Sequence, residues 1–209
     1  MKLTNLNHQR KGFTILELLI AMGVFSFVLL LVTVVIIGIG NLYSKGINLS
    51  RTQDAVRNIV GDISQNLSYT SSNPIVIDIQ TNPIKTICIG DARYTYVTGL
   101  RPNDSYAGVT YKHIFWRDKL VANDNCRAAD LANIDPSTST GGVANSGTEL
   151  VPDNTRIYNF SLTSSSPYGI LITLAYGNPS NSPSGQCLSN STNQYCAVSS
   201  LQTTAVKRL

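Results

Sequence analysis

Two features near the amino terminus carry chemical potential. Gly12 and Phe13 follow the basic pair Arg10–Lys11, and Glu17 is a lone carboxylate set among Phe13, Ile15, Leu16, Leu18, Leu19 and Ile20. A carboxylate at the end of a membrane helix costs several kcal/mol unless it is paired or reaches water. A cut after Gly12 would create an α-amine at Phe13, about one helical turn from Glu17. Within one chain that geometry is awkward. Between two parallel chains displaced along a common axis, the acid of one faces the amine of the next, and a low dielectric strengthens the pair. Such a pair would set the axial register of an assembly.

Other reactive side chains are sparse. The four cysteines are Cys88, Cys126, Cys187 and Cys196. They form no C-x-x-C pair, so a zinc site is not expected. An even number in an exported domain reads as two disulfides, with three pairings open. The short loop rich in Ser, Asn and Gln favours Cys187–Cys196, which leaves Cys88–Cys126. Of the two histidines, His8 precedes Gly12 and His113 lies in an expected strand, where it reads as an edge residue and not a base. Asp118, Asp124, Asp130 and Asp135 lack the spacing of a calcium loop. No nucleophile-elbow, H-E-x-x-H or P-loop pattern is present. The sequence therefore predicts no enzyme, no cofactor and no metal. Lys112, Arg117 and Lys119 could join Tyr111 and Trp116, with Lys207 and Arg208 further on, in a surface for DNA or another ligand. Asp118 interrupts that set, and a solvated strand face accounts for it better.

Composition suits an extracytoplasmic surface that is polar without being charged. Only 13% of the 209 residues are charged, against about 25% in typical soluble domains. Lys2, Arg10 and Lys11 supply three of the four net positive charges, so the basic balance belongs mostly to the leader and is poor evidence for a nucleic-acid partner.

The element that must position Glu17 is helical. Leu18 to Ile39 contain no charge and only Ser26, Thr33 and two glycines interrupt the apolar run. As a helix these 22 residues span about 33 Å, matching a hydrocarbon core of about 30 Å. Basic residues before the run and a long polar chain after it place the amino terminus inside. The run is too long for a cleaved secretory signal and ends without a small-residue cleavage pattern. Beyond Lys45, Val56, Ile59, Val60, Ile63 and Leu67 follow one helix face, and Leu42, Leu49, Val56 and Ile63 form a seven-residue series. Arg51, Asp54 and Arg57 have the i, i+3 spacing that permits ion pairs. The pattern fades at "SYTSSNP", where Pro74 disfavours helix at Asn73.

The stretch "KGFTILELLIAM" resembles the processing motif of type IV pilins and type II secretion pseudopilins. The resemblance implies that a membrane prepilin peptidase cuts between Gly12 and Phe13 and N-methylates Phe13. It also implies that Thr14 belongs to the motif and that Glu17 is the assembly acid. Implied partners are other pilin subunits, that peptidase and an assembly platform in the inner membrane. The implied location is the cytoplasmic membrane, then an extracellular filament. The motif resemblance covers residues 1 to about 70. "RTQDAVRNIVGDISQNLS" is similar, more loosely, to the matching helix of minor pilins and larger minor pseudopilins, which with the size favours a minor subunit. The chain departs from many major pilins in having no proline before Pro74, leaving Gly38 and Gly40 as the weak points of the helix.

The expected organisation is a leader over 1–12, a long helix over 13–70 with its membrane span at about 18–39, and a β-rich extracytoplasmic domain over 71–209. Strands are expected at 75–79, 84–89, 93–98, 109–116, 119–122, 156–163, 168–176 and within 195–206. "SSSP" marks a hairpin turn, 127–133 a short helix, and 123–155 and 177–194 surface loops. The fold class is α+β, one antiparallel sheet packed on the amphipathic helix. Cys187 and Cys196 bound a loop like the carboxy-terminal loop of many pilins. The functional expectation is a type IV pilus subunit. The alternatives are a secretion pseudopilin and an anchored adhesin or enzyme that never assembles.

Overall fold

A computed structural model describes residues 13–78, 83–120, 126–133, 147–177 and 196–208. The leader expected over 1–12, including Gly12, lies outside them, as does Cys187. The chain divides into two compact units, 1–43 and 44–209.

One helix, α1 (Ile15–Tyr69), supplies nearly all of the described part of the first unit and the start of the second. Up to Tyr43 every described side chain is exposed, and the run is long and apolar enough to cross a membrane. Its few polar groups are satisfied locally. Ser26 and Thr33 donate their hydroxyls to the carbonyls of Met22 and Leu29, each at 2.8 Å, so neither needs water.

In the second unit α1 is one-sided. Val56, Ile59, Val60, Ile63 and Leu67 are buried, as their spacing predicts. Arg51, Asp54 and Arg57, whose spacing permits ion pairs, are all exposed, and among the described residues no ion pair joins them.

The β structure is antiparallel but forms two main sheets where one was expected. The first contains β1 (Ile75–Asp78), β2 (Ile84–Ile89), β3 (Ala92–Val97), β6 (Phe115–Lys119) and β7 (Thr148–Glu149), in the order β1-β2-β3-β6-β7. The second contains β8 (Thr155–Leu162), β9 (Tyr168–Tyr176) and β10 (Ala197–Ala205), in the order β10-β9-β8. A parallel bridge between Thr98 and Ile157 connects them. A small hairpin, β4 (Ser105–Tyr106) and β5 (Val109–Thr110), turns through Ala107 and Gly108, both at positive φ. The core joins the α1 stripe to Ile87, Tyr94 and Phe115 of the first sheet and Ile170, Ile172 and Leu174 of the second.

Three expectations need correction. The strand expected over 109–116 is broken, because the amides of Lys112 and His113 both turn to the carbonyl of Leu131 at 3.2 Å. The helix expected over 127–133 is an irregular strap ending in a turn. Within the loop expected over 123–155, β7 pairs with β6.

The strap explains why β3 is buried on both faces. Tyr94 and Tyr96 point one way, into the core, while Arg93 and Thr95 point the other. Thr95 accepts the Ala129 amide at 3.1 Å, and Arg93 donates to the Arg127 carbonyl at 3.2 Å. Cys88, Arg93 and Asp118 lie abreast on β2, β3 and β6. Cys88 is bonded to Cys126 at the start of the strap. Arg93 forms a fork to the Asp118 carboxylate, Nε donating to Oδ1 at 2.8 Å and Nη2 to Oδ2. Cys196 is also disulfide-bonded.

Candidate functional site

The start of α1 is a reciprocal cap. Thr14 is the residue before the first helical position, and its carbonyl accepts the Leu18 amide at 3.2 Å. Its hydroxyl accepts the Glu17 amide at 3.2 Å. In return, Glu17 Oε2 accepts both the Thr14 amide and the Thr14 hydroxyl, each at 3.2 Å. These are the bonds of a capping box, which satisfies orphan donors at a helix start. A carboxylate in the first turn is further favoured by the helix dipole.

The arrangement changes the chemical reading of Glu17. Its charge has two donors within its own chain, the amide and the hydroxyl of Thr14. Oε1 accepts no hydrogen bond among the described residues. Phe13 precedes the box and is 85% exposed. The sequence signal was available: T-x-x-E before an apolar run is the box signature.

The remaining candidates do not converge into a second site. His113 Nδ1 lies 3.1 Å from Glu149 Oε2, and its ring sits 4.4 Å from that of Trp116. Glu149 also accepts the amides of Phe115 at 2.9 Å and Ile114 at 3.2 Å, so it bridges the broken strand to β7. Asp118 is committed to Arg93, and Asp130 accepts the amides of Ala132 and Asn133 in its own turn. Asp124 and Asp135 lie outside the described residues. Among the described residues, no three His, Cys, Asp or Glu side chains approach one another closely enough to hold a metal.

The basic–aromatic set is dispersed in the same way. Tyr111 and Trp116 are buried. Arg117 Nε pairs with Asp62 Oδ2 at 2.9 Å and Lys119 with Asp91 at 3.0 Å. That Lys119 contact holds the Asp91 carboxyl below the usual range. Lys207 donates to the Ser71 carbonyl and Asn73 Oδ1, each at 3.0 Å.

Residues 7–33 match the family model for the prokaryotic N-terminal methylation motif. The chain has a prepilin-type amino terminus. The match takes in Gly12, Phe13 and the capping box, and runs well into the exposed apolar part of α1. No curated protein and no solved structure matches the chain. The prepilin-type assignment thus rests on the motif, together with a long apolar amino-terminal helix leading into antiparallel sheets. An apolar helix behind this motif suits membrane anchoring.

Proposed function

We propose that this prepilin-type chain is a structural subunit of a type IV pilus. It is inserted in the cytoplasmic membrane with its amino terminus inside, and cleavage after Gly12 then leaves an N-methylated Phe13. The new amine is a cation, and Glu17 Oε1 of an adjacent subunit is free to receive it. The apolar part of α1 then exchanges lipid for the helices of neighbours, while the β domain faces outward. The role is structural, and the partners are prepilin peptidase, the membrane assembly platform and other pilin subunits.

The observation that carries this reading is the position of Glu17. It is the third residue of α1 and lies inside the matched methylation motif, with one oxygen held by Thr14 and the other open. The capping box supports a two-stage role: the acid is held in shape before assembly and presented to a partner during it.

Mass spectrometry of the mature chain tests the reading. A start at N-methyl-Phe13 is expected, and functional filaments that retain residues 1–12 would refute it. Glu17→Ala should preserve membrane insertion and sharply lower recovery in sheared filaments. Copy number in those filaments decides between a shaft and a minor subunit.

A further inference from the structure

We propose that the strap at 126–133 is a redox-latched cover: reduction of Cys88–Cys126 frees it to lift from the first sheet while the second sheet stays folded. The proposal stands on the β domain alone and is independent of the assembly reading.

The first observation is what lies beneath the strap. Cys88, Arg93 and Asp118 sit abreast on β2, β3 and β6, and the side chains of Arg93 and Asp118 are each 1% exposed. Thr86 pairs with Thr95 and shares their face of the sheet. Its hydroxyl is buried and has no hydrogen-bond partner among the described residues. An apolar face keeps its cover by burial alone. Here a desolvated ion pair and an unpaired hydroxyl both regain water when the cover lifts. Closure over this face therefore carries a polar cost, and a tie is needed to hold it.

The second observation is how the strap is held. The Ala129 amide donates to Thr95 Oγ1, Arg93 donates to the Arg127 carbonyl, and the Leu131 carbonyl accepts the amides of Lys112 and His113. Ala129 and Leu131 are its buried apolar side chains. The covalent tie is Cys88–Cys126, which joins the first residue of the strap to β2 across 38 residues. A bond closing so long a loop strongly restricts the opened state, and that restriction vanishes when the bond is cut. The ladders among β8, β9 and β10 contain no strap residue, so they outlast the loss.

The third observation is access. Cys88 is 3% exposed, whereas Cys126 is half-buried, so an incoming thiolate meets the Cys126 sulfur first. With a dithiol reductant, that attack forms a mixed disulfide at Cys126 and expels the Cys88 thiolate. The second thiolate of the reagent then displaces Cys126. Two electrons and two protons pass to the chain, leaving two thiols here and one disulfide in the reagent.

Trypsin reads the opening in the full chain in detergent. Arg127 is the only lysine or arginine between Lys119 and Arg156. It is exposed, but its carbonyl, the group the protease must attack, is held by Arg93. Dithiothreitol should raise cleavage after Arg127 by roughly tenfold or more, because cleavage tracks the open population. Mass spectrometry detects it as a new terminus at Ala128. Cleavage after Arg156, which is 2% exposed in β8, should keep its parent rate. Dithiothreitol also reaches the Cys196 disulfide, so Cys126→Ser, which removes the latch alone, should give the same Ala128 terminus without reductant. Reoxidation should restore resistance to the parent and not to Cys126→Ser. No gain in the reduced parent overturns the proposal. So does a gain that Cys126→Ser lacks, since the effect then belongs to the Cys196 disulfide. Cleavage after Arg127 and Arg156 that rises together also overturns it, because the bond then holds the whole domain and not a cover.

Discussion

The two parts of α1 solve the same problem in different ways. Up to Tyr43 the side chains are exposed, and polar groups bond within a turn of themselves: Ser26 to Met22, Thr33 to Leu29, Thr14 with Glu17. From Ser44 onward Thr52 and Ser68 still bond within a turn, to the carbonyls of Asn48 and Ser64, but other polar groups reach the sheets. Tyr94 donates to Asp62 Oδ2 at 2.6 Å, and Asn66 donates to the Tyr94 hydroxyl at 2.8 Å. A helix destined for lipid cannot rely on tertiary partners, whereas one packed on a sheet can. The difference teaches that one continuous element can serve two surroundings when the local bonds it keeps throughout are joined by long-range ones in its packed part.

The comparison breaks most clearly on the domain side. Arg93→Ala removes the partner of a buried carboxylate; both side chains of the pair are 1% exposed. Stability of the full chain in detergent should fall by about 3–5 kcal/mol by urea titration. A loss below about 1 kcal/mol would mean that Asp118 is not truly desolvated.

A matched pair of apolar truncations sharpens it. Ile63→Ala should cost about 2–5 kcal/mol in the same titration, since Ile63 is fully buried. Ile36→Ala, in the exposed run, should leave the domain transition unmoved. Equal effects would erase the distinction between the two regions.

A smaller effect is expected at the cap. Thr14→Ala removes the hydroxyl from the box and should cost about 0.5–2 kcal/mol of helix start. Amide exchange in micelles should quicken around Leu16 to Leu18, with no change at Ile63. Thr14→Ser should preserve the protection.

The smallest and most pH-bound effect concerns Tyr94. Burial pushes its phenol upward first, and the hydrogen bond to Asp62 adds to the shift. A group whose folded pKa is raised contributes its stability below the unfolded value, about 10 for tyrosine, and loses it as pH climbs toward the folded value. The domain should therefore weaken above about pH 10. Tyr94→Phe should make that alkaline limb shallower, the part due to buried Tyr96 remaining, while costing about 1 kcal/mol at neutral pH.

Much of α1 was legible because its signals are periodic. The apolar run and the stripe from Val56 to Leu67 need only helical spacing to be read. Strands β2, β3, β8 and β9 were legible from β-branched and aromatic runs between turn residues, and Cys88–Cys126 from elimination among the pairings. What escaped was set by tertiary partners. Tyr111 to Ile114 alternate like a strand, but the Leu131 carbonyl claims two of their amides. The segment after Cys126 carries helix-forming alanines, yet Thr95 and Arg93 hold it as a strap. The split into two sheets depends on where β8 turns from the first, marked only by the bridge at Thr98. At the site, Glu17 was found by its cost and Thr14 by its place in the motif. The bonds between them were readable from spacing alone.

Gly147 has a practical consequence. A Cβ at that position would lie 2.2 Å from Trp116 Nε1, so the backbone passes directly over the indole. Trp116 is the only tryptophan in the chain. Its emission is therefore a built-in optical gauge of this one corner: a blue signal while the glycine covers the ring, and a red shift as soon as that cover lifts, with no label to attach.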